Sequence, residues 1–494
     1  MHDAVFVNTS PDTHSILAVD IGTTSAKGLL VLPDGKVIGA CQKFYNTFFP
    51  HPGFAEQDSD SIFLAVLEIL KTITLNKNKP SGICFSAAMH SIMAVDENGN
   101  PLTNLIIWSD TRSSAQSSRL IEKKKAQQLY EITGTPVHPM SPLCKLLWMK
   151  ENQPDIFLAS YKFISIKEYI LFRLTGDYFV DHSTASATGL FDLQERQWSS
   201  LALELLQLDK QKFSRTVPVL TLVTIKKEMA DELQVLDVPL IVGASDGCLA
   251  QLGSHAMGNG DLSITLGTSG AVRAASRERK IDPTGRIFNY LLDDETFICG
   301  GATNCGTALL NWYSKNIDPS ASDDVAEFVD QVEKISPGCE GLLMIPYLQG
   351  ERAPVYNANA RGVFFGVSID HTKRHFQRAL IEGICFQLRW ITESVEDFFG
   401  SSKRILVSGG ITRSENWVQL LCNVLGKSLI IQEMHDASAM GAAILGFRAL
   451  DIQSSFTHLT TKVFRPDDKA HQVYSNSYRK YKELFAAVEK LYKS

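Results

Sequence analysis

A carboxylate, a glycine and a row of hydroxyl side chains interrupt an apolar run near the start of the chain. These residues are Asp20, Gly22, Thr23, Thr24 and Ser25. The pattern predicts a strand, a tight turn and a second strand, with the turn able to hold the phosphates of a nucleotide. The glycine lets backbone N–H groups approach an anion, the hydroxyls add donors, and the carboxylate could hold Mg²⁺ through water. The alternative is an ordinary hairpin turn whose hydroxyls bond to their own backbone.

A second segment repeats this pattern in the same register. Residues 262–271 align with residues 17–26 without a gap, so that Gly267 and Thr268 stand in place of the first glycine and threonine. This self-similarity predicts two similar halves, and two facing turns could hold the two ends of a triphosphate. Thr265 stands where the first copy has its carboxylate. Only the first copy could therefore supply a metal-binding carboxylate at this position.

Polar side chains also follow two short apolar runs in the first half. Met89 and His90 come after the first run, and Asp110 and Arg112 come after the second, residues 105–108. Both runs are predicted as strands. Ligands of open α/β sheets gather beyond the carboxyl ends of the strands, so these side chains are candidates for substrate contacts. A buried, hydrogen-bonded histidine and a surface Asp–Arg pair are the alternatives.

A third carboxylate, Asp246, follows an apolar strand-like run that ends in a turn of small residues. We place a domain boundary at Gly243, which divides the chain into domains 1–243 and 244–494. The boundary puts Asp246 at the mouth of a cleft between the halves. The cap of a helix is the alternative role for an aspartate in such a turn.

Paired glycines, Gly409 and Gly410, separate the predicted strand 405–408 from a helix that begins near Ser414. They could let a flat ring or a phosphate lie against the backbone, although close packing of strand and helix is an equally ordinary reason for them.

The sequence contains no Gly-x-x-x-x-Gly-Lys-Ser/Thr loop and no Gly-x-Gly-x-x-Gly behind the first strand. A phosphate-binding chain without these loops must use hairpin turns.

Composition narrows the class of protein. The chain has 494 residues, of which 44% are hydrophobic and 21% charged, and its net charge is −6. These values are typical of a soluble globular protein of several domains and argue against nucleic acid or an anionic membrane as the main partner. No apolar run approaches the roughly 20 residues of a spanning helix, and the N-terminus lacks a signal-peptide pattern. Nine scattered cysteines without a Cys-x-x-Cys pair favour reduced thiols and a cytoplasmic location.

Phosphate binding by hairpin turns is the arrangement of the actin, hexokinase and sugar-kinase superfamily, and the chain resembles the FGGY carbohydrate kinases within it. Met140–Asn152 fits the first signature of that family. Gly362–Val367, followed by His375–Phe376 and Ala379–Glu382, fits the second. The resemblance runs from Ile16 to about Leu450. It implies an α/β fold of two ribonuclease H-like domains around a central cleft.

The resemblance also implies roles for the candidate residues. Asp246 corresponds to the catalytic base that takes the proton of a sugar hydroxyl, and Asp20 to the Mg²⁺ site. The residues that would contact ATP are Gly22, Thr23, Thr24, Gly267, Thr268, Thr307, Asn311, Gly409, Gly410 and Ser414. The residues that would contact the sugar are Met89, His90, Asp110, Arg112 and His138, together with Asp246.

Several segments are similar to gluconate kinases, which implies phosphorylation of D-gluconate to 6-phosphogluconate. The carboxylate of gluconate needs a cation, for which Arg112, His138 and Lys145 are candidates and His138 is preferred. The alternatives are a xylulose kinase or another polyol or ketose kinase. A non-enzyme alternative is an actin-like nucleotide-binding regulator, which Asp246 and Asp20 disfavour. The resemblance leaves a homodimer open.

Overall fold

Two seven-stranded sheets form the framework of the protein, one in each half of the chain. The computed structural model describes residues 5–6, 14–75, 79–235, 237–432, 436–456 and 461–493. The strands of the first half are β1 Val5–Phe6, β2 Ile16–Ile21, β3 Ser25–Val31, β4 Val37–Phe44, β5 Glu56–Gln57, β6 Gly82–Ala87, β7 Met93–Val95, β8 Leu105–Ile106, β9 Lys162–Ile164, β10 Phe179–Asp181, β11 Phe191–Asp192, β12 Gln197–Trp198, β13 Arg215–Val217, β14 Leu222–Val223 and β15 Leu240–Ser245. The strands of the second half are β16 Asp261–Leu266, β17 Gly270–Ser276, β18 Phe288–Leu291, β19 Phe297–Thr303, β20 Leu343–Ile345, β21 Val363–Phe365, β22 Arg404–Ser408, β23 Leu429–Gln432 and β24 Thr461–Phe464.

Helices cover the sheets and connect their strands. They are α1 Ser59–Thr74, α2 Ser114–Glu122, α3 Lys125–Thr133, α4 Pro142–Asn152, α5 Pro154–Ala159, α6 Ile166–Thr175, α7 His182–Ser186, α8 Ser200–Leu206, α9 Lys227–Leu233, α10 Asp246–Gly253, α11 Thr307–Asn316, α12 Val325–Asp330, α13 Lys373–Phe399, α14 Glu415–Leu425, α15 Ala437–Ala449 and α16 Asp468–Val488. Short 3₁₀ turns lie at Lys210–Lys212, Cys339–Gly341, Gly410–Arg413 and Glu489–Lys493.

The five central strands of the two sheets, β4-β3-β2-β6-β15 and β19-β17-β16-β22-β23, share one order, which confirms the internal repeat. In the first sheet, β2 lies between its antiparallel neighbour β3 and its parallel neighbour β6, in the order β1-β4-β3-β2-β6-β15-β14. In the second sheet, β16 lies between antiparallel β17 and parallel β22, in the order β18-β19-β17-β16-β22-β23-β24. The predicted fold class, two α/β domains of the same type, is therefore correct.

Burial on both faces explains why the sequence of β2, the central strand of the first half, is an almost continuous apolar run. All six residues of β2 are buried, because helices cover both faces of the sheet. On one face, α1 presents Ile62, Val66, Ile69 and Ile73 at helical spacing, and the carboxylate of Asp58 caps its first turn. On the other face lies α15.

Two helices lie where the halves meet. Helix α15 belongs to the second half by sequence but packs on β2, β6 and β15 of the first sheet, and α10 packs on α15. Both helices contribute to one apolar cluster with strands of both sheets. Gly243, where the sequence places the domain boundary, lies inside β15 with φ 75°, and a Cβ there would come within 1.8 Å of the Phe85 carbonyl oxygen. Within the described residues, no helix combines the length and apolarity needed to cross a membrane.

Candidate active site

A cavity of about 340 Å³ lies between the two halves and contains most of the predicted sugar and phosphate residues. From the first sheet and its loops it is lined by Thr23, Thr24, Met89, His90, Trp108, Met140 and Asp246. From the second half it is lined by Thr265, Gly267, Thr268, Ser269, Gly270, Ala271, Arg273, Phe288, Tyr290, Ala302, Arg352 and Tyr356. A larger cavity of about 900 Å³ contains none of the predicted site residues. The smaller one is therefore the candidate active site.

The turn between β2 and β3 is held from both sides. The Gly22 N–H donates to the Ser25 carbonyl at 3.0 Å, which closes the turn. The indole N–H of Trp108 donates to Thr23 Oγ1 at 2.9 Å, and the Gln57 amide donates to the Thr23 carbonyl at 2.5 Å. The turn is thus fixed before any ligand binds, as a preorganised phosphate site requires.

The second turn, between β16 and β17, meets the other predicted nucleotide residues. The Gly267 N–H donates to the Ser269 carbonyl at 2.9 Å, and the Thr307 N–H at the start of α11 donates to the Gly267 carbonyl at 2.7 Å. A Cβ on Gly410 would lie 3.4 Å from Thr307 Cγ2 and 3.7 Å from Gly267 Cα. The structure therefore brings the second turn, the start of α11 and the glycine loop together at one edge of the cleft.

The first of the paired glycines, Gly409, is required for this approach. Gly409 has φ 89°, and a Cβ there would come within 2.7 Å of the Leu266 carbonyl oxygen. Ser414 is buried and its hydroxyl accepts the Trp417 N–H at 3.2 Å, so it caps α14. Asn311 lies on α11, one turn beyond Thr307. Gly409 thus packs closely against the end of the neighbouring strand β16, on the same loop that faces the second turn.

Asp20 lies in a group of carboxylates that suits a divalent cation. Its Oδ1 accepts a hydrogen bond from Ser86 at 2.5 Å. Burial, and then the negative charge of Asp436, raise the pKa of Asp20 to about 8, with Asp246 adding to the same effect. Lys27, which pairs with Asp436 at 2.5 Å, offsets only part of this repulsion. A cation held through water would relieve it, which fits the Mg²⁺ prediction. No cluster of three metal-ligating side chains occurs among the described residues.

Asp246 is the first residue of α10 and is half-buried in the cavity wall. Its Oδ1 accepts the Gly247 N–H at 2.7 Å. Burial raises the pKa of Asp246, and the guanidinium of Arg273 opposes that rise. The carboxylate therefore combines two features of a general base: it faces the cavity, and its pKa is raised towards neutrality.

His90 faces the cavity as a neutral hydrogen-bond acceptor. Its Nδ1 donates to the Ala187 carbonyl at 2.7 Å, so the other ring nitrogen, Nε2, is the unprotonated one. Burial, and then the nearby Lys145, lower the pKa of His90 to about 3. The ring packs edge-on against Tyr290, with ring centroids 5.8 Å apart. This geometry suits a contact to a sugar hydroxyl.

The run before Asp110 and Arg112 forms a strand, as predicted, but this strand lies outside the seven-stranded sheet. The strand before them, β8, is only two residues long and pairs antiparallel with β5, apart from the seven-stranded sheet. Arg112 bonds Asp110 at 2.7 Å and Glu56 at 2.6 Å, and its guanidinium lies 3.8 Å above the ring of Phe54. Neither residue lines the cavity. The charge of Arg112 is thus neutralised by protein carboxylates.

His138 and Lys145, the other two candidates for a carboxylate contact, also differ from expectation. His138 Nδ1 accepts the Met140 N–H at 3.2 Å, so its Nε2 carries the proton, and this buried atom has no partner within the described structure. Burial, and then Arg352, lower the pKa of His138 to about 3. His138 is thus a neutral donor. Lys145 Nζ donates to the carbonyl oxygens of His90 at 2.6 Å and Ile107 at 2.7 Å.

We expect Lys145→Met to lower stability by about 2 kcal/mol, because two buried carbonyl groups lose their donor. Thermal unfolding measures the loss. Lys150→Met on the same helix is the control, since within the described part of the chain the Lys150 ammonium bonds only the exposed side chain of Gln207, and its loss should change little. Equal melting temperatures for the two variants would contradict the structural role of Lys145.

Two guanidinium groups in the cavity were missed by sequence reasoning. Arg273 lies on β17 and Arg352 in the loop between β20 and β21. Arg273 could have been found from the alternation of side chains along a strand. Ala271 follows the second turn, and Arg273, two residues further on, lies on the same face of the strand. No comparable local pattern surrounds Arg352.

Both the sequence and the structure match known proteins over most of the chain. Residues 15–253 match the N-terminal domain of the FGGY family of carbohydrate kinases, and residues 262–450 match its C-terminal domain. The chain is 36% identical over 457 residues to a gluconokinase of Bacillus subtilis, covering 90% of this chain and 89% of that one. The structures of a gluconate kinase and a ligand-bound xylulose kinase from Lactobacillus acidophilus each superpose with a TM-score of 0.91 at 32% identity. Each covers 97% of this chain, and the match spans 98% and 99% of theirs, respectively.

Proposed function

The chain belongs to the FGGY family of carbohydrate kinases, and on that premise we propose that it transfers the γ-phosphoryl group of ATP to D-gluconate, giving 6-phosphogluconate. That the protein is a carbohydrate kinase follows from the family. The choice of gluconate is the proposal. The gluconokinase of Bacillus subtilis supports it by similarity, whereas the two solved structures, one of each kind, are equally similar to this chain.

The observation that carries the proposal is the charge of the cavity wall. Among the described lining residues, Asp246 is the one carboxylate, whereas Arg273 and Arg352 supply two guanidinium groups. Neither guanidinium forms an ion pair within 4.0 Å with a described carboxylate. An enclosed site with unpaired cations favours an anionic sugar over a neutral one.

The proposed reaction needs alignment more than covalent chemistry. The two turns would bind the phosphate chain through their N–H and hydroxyl groups, with Gly267 and Thr268 on one side and Thr23 and Thr24 on the other. Mg²⁺ near Asp20 would neutralise charge on the phosphates. The substrate O6 attacks the γ-phosphorus, the bond from phosphorus to the bridging oxygen breaks, and ADP leaves. Asp246 accepts the proton of the attacking hydroxyl.

A substrate profile tests the proposal. We expect a coupled ADP-release assay to give the highest kcat/KM with gluconate, in a series with xylulose, ribulose, glycerol and D-glucitol. Glucitol is the informative control, because its terminal CH₂OH replaces the carboxylate of gluconate. A kcat/KM for xylulose equal to or above that for gluconate would overturn the proposal and favour a ketose kinase. ATP consumption that does not depend on any sugar would favour a nucleotide-binding regulator.

The proposal also includes the cell compartment in which the reaction takes place. All nine cysteines are buried and free, as expected where thiols stay reduced. Together with ATP as co-substrate, this favours the cytoplasm as the compartment of the reaction.

A further inference from the structure

Arg273 lies at the base of the cavity, on the strand that leaves the second phosphate turn. Side chains two residues apart on β17 share a face, and both Ala271 and Arg273 line the cavity. Val272 and Ala274 point the other way, into the apolar core of the second half. Arg273 is therefore directed towards the substrate space by the register of the strand.

The guanidinium of Arg273 is poorly satisfied by the protein. Within the described structure its Nη1 donates one long hydrogen bond to Thr265 Oγ1 at 3.4 Å, and its buried Nε has no partner. A buried guanidinium with unused donors is costly unless an anion or acceptor meets it. The hydroxyls of Tyr290 and Tyr356, which line the same cavity, are also buried without a described partner. The site thus offers several unused polar groups to one ligand.

Arg352 differs from Arg273 in this respect. Its Nε donates to Asn304 Oδ1 at 2.9 Å, and its Nη2 donates to the Thr303 carbonyl at 2.7 Å. Its guanidinium lies 4.8 Å from the ring centroid of Trp108. Arg352 is therefore held by the protein, and Arg273 is the cation with the most free donors.

We propose that Arg273 binds the carboxylate of the sugar acid through its guanidinium fork and so selects an acid over a neutral sugar. This assignment rests on the proposed function. Planar guanidinium groups match carboxylates in two parallel hydrogen bonds, which makes such contacts both strong and orienting. Arg273 and Asp246 line one cavity without forming an ion pair within 4.0 Å, so one bound sugar acid can contact both the cation and the base.

Calorimetry with the full-length protein tests the assignment. In Arg273→Gln, the Kd of gluconate measured with ADP present should rise by about 30-fold, the loss expected for a charge-assisted pair. The Kd of ADP should stay within about twofold. Arg277→Gln is the matched control, because Arg277 follows on the same chain segment, is exposed and, among the residues that the structure describes, pairs only with Glu295. It should leave both constants unchanged.

The outcomes separate the two proposals. An unchanged gluconate Kd in Arg273→Gln, or an equal weakening of ADP, would overturn the role of Arg273 while the proposed function stands. A wild-type protein that binds xylulose more tightly than gluconate would overturn the function and this role with it. If Arg273→Gln does not fold, Arg273→Lys tests the role instead, since lysine keeps the positive charge but lacks the planar guanidinium that forms two parallel hydrogen bonds. Its gluconate Kd should rise several-fold, and an unchanged value would again overturn the role.

Discussion

Asp246→Asn is expected to lower kcat by about 10²- to 10⁴-fold, the usual contribution of a general base. The amide keeps the size of the side chain and can still accept the Gly247 N–H, but it cannot take the proton of the attacking hydroxyl. The two phosphate turns do not include Asp246, so the Kd of ATP should change little. A steady-state assay at saturating gluconate and ATP, with calorimetry for nucleotide binding, measures both quantities.

An aspartate-to-asparagine substitution outside the cavity is the control for the loss of one negative charge. Asp231 lies exposed on α9, away from the cavity, so Asp231→Asn should keep the wild-type kcat. Retention of more than about a tenth of wild-type kcat in Asp246→Asn would contradict the assignment of the base. A large loss of ATP affinity would instead indicate that Asp246 acts mainly in binding the nucleotide.

Local patterns predicted the parts of the site that depend on local geometry. The glycine and hydroxyl turns close through hydrogen bonds between near neighbours, as in the bond from Gly22 to Ser25, so their residue types determine their shape. The repeat of that pattern predicted two similar halves, and the shared strand order confirms it. Asp246 was placed correctly after a strand because β15 and α10 follow one another in sequence, although the small residues predicted as a turn between them belong to β15.

The errors concern partners that are distant in sequence. Arg112 looked like a free cation, but it is neutralised by Glu56 and stacked on Phe54, which no nearby pattern reveals. Lys145 looked like a candidate for the substrate carboxylate, but its donors reach carbonyl groups of two other segments. The unused donors of Arg273 could be recognised only from the fold, because they depend on which groups surround the guanidinium in space.

The position of Asp246 depends in turn on how its helix packs. Gly441 of α15 and Gly253 of α10 lie where these two helices cross. A Cβ on Gly441 would come within 2.0 Å of the Leu249 carbonyl oxygen, and one on Gly253 within 2.0 Å of the Ala437 carbonyl oxygen. The close approach also lets the Ser438 hydroxyl donate to the Asp246 carbonyl at 3.2 Å.

Gly441→Ala is therefore expected to destabilise the protein by about 3 kcal/mol or more, although alanine in a helix is ordinarily favoured over glycine by about 1 kcal/mol. Both clashing groups are backbone, so the added methyl group can be accommodated only if the helices separate. Arg448→Ala introduces the same residue at an exposed position of α15 and should shift the unfolding midpoint little.

A stability loss in Gly441→Ala should be accompanied by a lower kcat, because separation of α10 from α15 moves the base relative to the phosphate turns, and small displacements in such sites are costly. Thermal unfolding and steady-state kinetics on the same preparations measure the two effects. Wild-type stability would show that the crossing tolerates a methyl group. Lower stability with wild-type kcat would show that α10 keeps Asp246 in place without the close contact to α15, and the first sheet alone would then position the base.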